Sequence, residues 1–180
     1  ELVINDSIDY GFITQREILR LLNTKKISPI GKDLKDSKHY FSNSVSEILE
    51  EVYQTNDKIT AITAGMKDGV GLKDFAENHP NNFIDVGIAE EYAVTFASGM
   101  AKGGLKPIVW MYSTFLQRAY DQLVHDAAIS KLPIKLLIDR AGIVGEDGET
   151  HHGVFDVGFL RQAPGMRILC PGSTAELQDM

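Results

Sequence analysis

Apolar positions along this chain switch repeatedly between two spacings. Short apolar runs bounded by turn residues alternate with longer stretches of helical period, the texture of strands alternating with helices. The regular part starts at Asn43, where Ser44-Val45-Ser46-Glu47 forms a capping box that opens a helix with Ile48, Leu49 and Val52 on one face. Strands are predicted at Ile59–Thr63, Phe83–Val86, Pro107–Tyr112, Pro133–Asp139 and Met166–Cys170. Helices are predicted at Leu72–Glu77, at Ile88–Lys102 with Gly103-Gly104 as its stop, at Thr114–Ser130 and near Val157–Gln162. Regular alternation of this kind predicts an α/β fold, a three-layer parallel sheet with helices on both faces.

The first 42 residues break the pattern. Thr14-Gln15-Arg16-Glu17 opens a short amphipathic helix, and Lys25 to Lys38 is rich in Lys, Asp, Gly and Ser. Residues 1–42 thus read as an N-terminal extension or linker, and 43–180 as the folded domain. A length of 180 residues with 43% hydrophobic content allows one good core. The formal charge of −7 argues against nucleic acid as a partner, because phosphate binding needs basic patches. Cys170 is the sole cysteine and is expected to be a buried small hydrophobe at a strand end. No intramolecular disulfide is possible, no apolar run reaches membrane length and no signal-like segment opens the chain, so a cytoplasmic setting is expected.

Chemistry concentrates in three places. The predicted helix 88–102 is apolar or small on nearly every side and is expected to be buried all round, yet its first turn holds Glu90 and Glu91. Dipole complementarity explains acids at many helix starts, but a carboxylate in so apolar a helix is costly without a specific job. In the next predicted helix, Leu116, Ala119, Tyr120, Leu123 and Ala127 form the core face, which leaves Phe115 and Arg118 off it near the N-terminus. After the fourth strand comes IDRAGIVGEDGETHHGVFD, a glycine-rich turn carrying Arg140, Glu146, Asp147, Glu149, Thr150, His151 and His152. In a parallel sheet the carboxyl ends of strands share one edge, so the clusters after Asp85, Tyr112 and Asp139 are expected to converge there.

Three stretches carry a resemblance: DVGIAEEYAVTFASGMAKGG at 85–104, KPIVWMYSTFLQRAYDQLVHDAAISKLP at 106–133 and DRAGIVGEDGETHHGVFD at 139–156, with AITAGMKDGVGL at 61–72 a fainter match. The chain resembles the pyrimidine-binding module of thiamine-diphosphate enzymes and, within these, the 1-deoxy-D-xylulose-5-phosphate synthase family. The resemblance implies that Glu90 hydrogen-bonds N1′ of the cofactor's aminopyrimidine and that Phe115 stacks on that ring. It implies a pocket for pyruvate and glyceraldehyde 3-phosphate lined by Tyr112, Arg118, Arg140, Asp147 and His151. Arg140 would hold the triose phosphate, as a guanidinium suits phosphate, and His151 would transfer a proton near the reacting carbon. Where the family usually has Gln-His after the glutamate, this chain has Glu91 and Tyr92, and His152 stands where Gln is common.

The implied reaction decarboxylates pyruvate and joins the two-carbon unit to glyceraldehyde 3-phosphate, an entry to isoprenoid, thiamine and pyridoxal synthesis. The implied cofactors are thiamine diphosphate and magnesium. No Gly-Asp-Gly segment followed by an Asn ligand occurs, so the diphosphate and magnesium site is expected on a further domain. Ser173-Thr174-Ala175-Glu176 opens another helix just before the last residue, so the chain reads as a fragment whose C-terminal domain is also missing. The expected partners are those domains and a second subunit in a homodimer. Two alternatives remain open: a separate subunit of a split transketolase-like enzyme, or a metal-binding module built on Glu146, Asp147, Glu149, His151 and His152.

Overall fold

The computed structural model describes residues 41–144 and 147–180. The expected helix at the N-terminus and the linker to Lys38 lie outside the described residues. Four parallel strands form the sheet: β1 (Ile59–Thr63), β2 (Phe83–Asp85), β3 (Lys106–Tyr112) and β4 (Lys135–Asp139), in the order β2-β1-β3-β4. Every residue of β1 is buried. Successive side chains of a strand point to opposite faces, so the centre of the sheet is covered on both sides, as expected.

Helix α1 (Phe41–Thr55) begins ahead of the predicted capping box, which therefore lies inside it. Its inward face is Val45, Leu49 and Tyr53, one residue per helical turn, while Val52 is 44% exposed. Tyr53 also anchors the start of the sheet: its hydroxyl donates to Asn82 Oδ1, and Asn82 Nδ2 donates to the carbonyls of Asp57 and Ile59. The short α2 (Lys73–Asn78) buries Phe75 completely.

Helix α3 (Glu90–Lys102) packs Ala93, Val94 and Ala97, all fully buried, toward β1 and β3. Small side chains let the helix axis approach the sheet closely. The expectation that this helix is buried all round is corrected. Ile88 is 83% exposed and Tyr92 55%, with Tyr92 stacked on Phe96 at 5.5 Å. One face of the helix meets the sheet and the segment after β3, and no described element covers the other.

The predicted helix 114–130 is a continuous but irregular coil. It consists of α4 (Ser113–Leu116), a 3₁₀ turn (Gln117–Ala119), α5 (Tyr120–Gln122) and a π-helical turn (Leu123–Ala128). Leu116, Ala119, Leu123 and Ala127 are buried as predicted, whereas Tyr120 is half-exposed with its hydroxyl on Gln162. The spacing of these four residues is that of an ordinary helical stripe, and the changes of winding leave it on the core side.

Two further expectations fail near the C-terminus. Met166–Cys170 forms no strand. Its alternation is real, since Met166 and Ile168 pack against the core while Arg167 and Leu169 face outward, but neither edge of the sheet pairs with it. Cys170, consequently, is exposed rather than buried. The segment passes to α7 (Thr174–Asp179) from α6 (Asp156–Leu160). The cap of α7 is as predicted: Ser173 Oγ accepts from Glu176 N at 3.2 Å, and Glu176 Oε2 accepts from Gly172 N at 2.8 Å.

The central strands carry the stability of this arrangement. Ile62→Ala, at a fully buried position in β1, is expected to lower the unfolding free energy by about 2–5 kcal/mol. Lys135→Ala, at the exposed start of β4, is expected to change it by less than about 0.5 kcal/mol. Urea unfolding of the two variants checks the contrast.

Candidate active site

The register of β3 and β4 sets Tyr112 beside Asp139 at the carboxyl ends of the two strands. Arg140, the next residue, takes a left-handed backbone at φ 54°. This conformation is unfavourable for a residue with a Cβ, by about 1–3 kcal/mol. It turns the guanidinium back over the sheet edge, where its Cζ lies 4.2 Å from the centre of the Tyr112 ring. Arg140 Nε donates to Asp147 Oδ2 at 2.9 Å, and its Nη1 donates to Asp139 Oδ2 at 3.2 Å and to the Gly69 carbonyl at 3.1 Å. Burial works against its charge, and Asp147, Asp139 and Tyr112 outweigh that and raise its pKa. Burial, opposed by Arg140 and reinforced by Asp139 and Asp147, pushes the Tyr112 phenol up from 10.0.

Phe115 stacks against Tyr112 with ring centres 5.7 Å apart. The ring of His151 stands edge-on to both, 5.3 Å from Phe115 and 6.3 Å from Tyr112. The 3₁₀ turn Glu149–His151 that presents it is tied to α4 by Thr114 Oγ1, which donates to the Thr150 carbonyl at 3.1 Å. His151 Nδ1 lies 2.9 Å from Thr150 Oγ1.

Glu90 stands in the first turn of α3 and is 2% exposed, unlike Glu91, which faces outward. Its carboxylate is gripped by Arg118 Nη1, 3.1 Å from Oε1 and 3.0 Å from Oε2. The Arg118 guanidinium also reaches to 5.9 Å from the centre of Phe115. A run of contacts thus passes from Glu90 through Arg118, Phe115 and Tyr112 to Arg140 and Asp147, with His151 against the two aromatics. The seven residues to which the resemblance gives a role, Glu90, Tyr112, Phe115, Arg118, Arg140, Asp147 and His151, meet in one cluster. The cluster after Asp85 joins it through Glu90, while Asp85 itself stands apart: its Oδ1 accepts the N–H groups of Gly65 and Gly87 and shapes its own turn.

Several contributors were not singled out from the sequence. Gly69 supplies a carbonyl to Arg140, and any Cβ there would overlap the Tyr112 hydroxyl. Met66 Sδ accepts from Tyr112 N at 3.5 Å, and Asp139 pairs with Arg140. The one signal for Gly69 and Met66 was the faint match at 61–72. Among the described residues no three His, Cys, Asp or Glu side chains converge as a metal site, and Glu146, one member of the metal-binding alternative, lies outside them.

The chemical capacity of the cluster is clear from its parts: a buried carboxylate, two guanidinium groups, a pair of stacked aromatics and an imidazole. A buried carboxylate that loses its cation is strongly disfavoured, although exposure of half the Arg118 side chain moderates the effect. Arg118→Met is expected to cost about 1–3 kcal/mol of stability, and the same change made in a Glu90→Gln background is expected to cost much less. A double-mutant cycle by urea unfolding measures this coupling, and additive effects would refute it.

Residues 38–180 match the family model described as the transketolase pyrimidine-binding domain. Residues 1–39 match a model described as a POTRA-like domain. Over 144 residues the chain is 54% identical to the 1-deoxy-D-xylulose-5-phosphate synthase of Clostridium perfringens, covering 80% of this chain and 23% of that protein. Over 150 residues it is 51% identical to the protein of the same name from Syntrophomonas wolfei, covering 83% and 24%. The chain therefore spans about a quarter of the length of these curated relatives. Among solved structures it is similar to a split-gene transketolase, titled an inactive β4 tetramer, with TM-score 0.66 and 26% identity over 76% of this chain and 44% of that one. Its fold is also that of the transketolase of Leishmania mexicana, with TM-score 0.69 at 21% identity over 83% of this chain and 24% of that one. By the match of residues 38–180 the chain belongs to the transketolase pyrimidine-binding domain family.

Proposed function

We propose that this chain is the pyrimidine-binding part of a 1-deoxy-D-xylulose-5-phosphate synthase. The reaction joins the two-carbon unit of pyruvate to glyceraldehyde 3-phosphate with release of carbon dioxide. The observation that carries the reading is Glu90, a carboxylate 2% exposed at the start of an apolar helix and joined through Arg118 to the Phe115–Tyr112 stack. Such a carboxylate fits the pyrimidine half of thiamine diphosphate, and Phe115 offers a face for the ring to lie on. The cofactor, when bound, supplies the carbanion chemistry.

The residues of this chain divide the remaining work. Glu90 holds a proton at N1′ of the pyrimidine with a carboxylate lone pair that the single Arg118 Nη1 leaves free. Arg118, half-exposed, then turns toward the substrate side. Arg140, braced by Asp147 and lying on Tyr112, holds the phosphate of the triose. His151 moves a proton at the reacting centre from its place against Phe115.

The diphosphate group and magnesium belong in this reading to a further domain of the same protein. The protein acts as a cytoplasmic homodimer feeding isoprenoid, thiamine and pyridoxal synthesis. The outward apolar strip of Ile88 and Tyr92, beginning two residues before Glu90, supports a neighbouring protein surface at the site.

Two predictions test the assignment in the complete protein that carries this segment. Glu90→Gln is expected to lower turnover by several orders of magnitude, whereas Glu91→Gln is expected to be mild because Glu91 faces outward. Steady-state kinetics with pyruvate and the triose phosphate decide it, and equal losses would overturn the placement of Glu90.

The second separates binding from proton transfer. Arg140→Ala is expected to raise the KM for glyceraldehyde 3-phosphate about ten- to hundredfold, the loss of a charged hydrogen bond, with the pyruvate KM nearly unchanged. His151→Ala is expected to depress kcat by about 10²–10⁴-fold instead. Normal triose-phosphate affinity in Arg140→Ala would refute the phosphate role.

A further inference from the structure

The loop after β4 carries Arg140, Asp147 and His151, and one more of its side chains has no part in the site as described. His152 is 1% exposed. It stands at the neck of the loop, where Gly142 and Gly153 exchange two backbone hydrogen bonds, each 2.8 Å. Gly153 is fixed there by crowding, since a Cβ would overlap the Arg140 carbonyl and the Ser113 side chain. One step further along the loop, the N–H of Val144 donates to His152 Nδ1 at 3.1 Å. The imidazole thus supplies the next rung after the glycine pair.

Accepting at Nδ1 requires that nitrogen to be unprotonated, so the neutral ring carries its proton on Nε2. Nε2 is buried and has no hydrogen-bond partner among the described residues. An apolar side chain would fill this volume without leaving a buried donor unpaired. The polar ring is therefore explained by the bond it makes on its other side.

We propose that His152 is a positioning residue, whose neutral ring latches the neck of the β4 loop through Val144 and so keeps Arg140, Asp147 and His151 in register with Tyr112 and Phe115. Its meaning for catalysis rests on the function proposed above, whereas the latch itself is independent of turnover. A second proton would turn Nδ1 from acceptor to donor, facing the N–H of Val144. Burial lowers the pKa of the ring from its ordinary 6.5; of the charged groups around it, Glu149 pulls it up and His151 pushes it down. The sign follows. The latch is intact above about pH 6.5 and is lost as the pH falls through the lowered value of the folded state.

Hydrogen exchange read by mass spectrometry on peptides covering residues 141–155 tests the latch. It is applied to the 180-residue chain and to the complete protein that carries it, as parent, H152Q and H152F. Glutamine offers an amide oxygen that accepts without titrating, and phenylalanine fills the space and accepts nothing. H152Q is expected to keep the protection of the loop from about pH 5 to pH 8, where an imidazole would titrate. H152F is expected to exchange about tenfold faster at neutral pH, the effect of one lost hydrogen bond. The parent, corrected for intrinsic exchange rates, is expected to lose protection in acid where H152Q does not. H152F exchanging like the parent, or H152Q showing the same loss in acid, overturns the proposal. Should H152F fail to fold, the comparison of H152Q with the parent in acid decides alone. A protein that shows the latch but does not turn over pyruvate overturns the proposed function and leaves the latch standing.

Discussion

The pairing of Tyr112 with Asp139 is the constraint on which the site depends. It is the last rung of the β3–β4 ladder, and it places an aromatic ring and the start of the β4 loop side by side. Strand register is discrete, and a slip of one residue would send alternate side chains to opposite faces and carry Arg140 out of reach of the Tyr112 ring. The central part of the ladder, with Val109, Trp110 and Met111 all buried, holds the register by its hydrophobic side chains. The chemistry at the edge is thus positioned by apolar packing that takes no part in it. What the edge adds is local: the left-handed turn at Arg140 is offset by partners in Asp139, Asp147, Gly69 and the Tyr112 ring.

Glu90 depends on a different kind of support. Its helix comes close to the sheet because Ala93 and Ala97 are small, and that closeness is what removes the carboxylate from water. A charge so placed requires a partner of opposite sign. Arg118 reaches it from the irregular segment after β3, across 28 residues of sequence. Its long, half-exposed side chain reaches a buried acid. The pair couples the two elements that flank β3, and a guanidinium with half its surface in water can leave the acid more easily than a buried one could.

The parts legible in the sequence were those whose signal is carried within one element. The strands at 59–63, 106–112 and 135–139 could be read from their apolar runs, and the cap at Ser173 from residue types alone. Failures came where a neighbour decides the outcome. The alternation of Met166–Cys170 is that of a strand, but a strand exists only if another one pairs with it. Ile88 and Tyr92 read as core because periodicity reports that a face is apolar and cannot report what covers it. Residue types drew attention to Glu90, Phe115 and Arg118, and the resemblance to a family gave them roles. Neither gave a role to Asp139 or to the carbonyl of Gly69, although both lie within the matched stretches, because a second carboxylate and a backbone oxygen have no motif of their own.

Three features around the site run against the local preferences of the chain: an arginine in a left-handed turn, a buried carboxylate, and a buried imidazole with one nitrogen unpaired among the described residues. Others lie apart from the site, among them Lys131 at φ 53° and the buried Gln122 Oε1, also without a partner among the described residues. Departures scattered over the surface would indicate nothing more than tolerance. The first three fall together instead, two of them in one loop and the third joined to that loop by contacts through Phe115 and Tyr112. Each is stable only because surrounding structure over-determines it, and the structure doing so is the same sheet edge. Strain concentrated at the carboxyl ends of parallel strands, where a ligand crevice forms in folds of this class, is what a pre-organised site requires. The fold spends its stability in the centre of the sheet so that this edge can hold groups in arrangements they would not adopt alone.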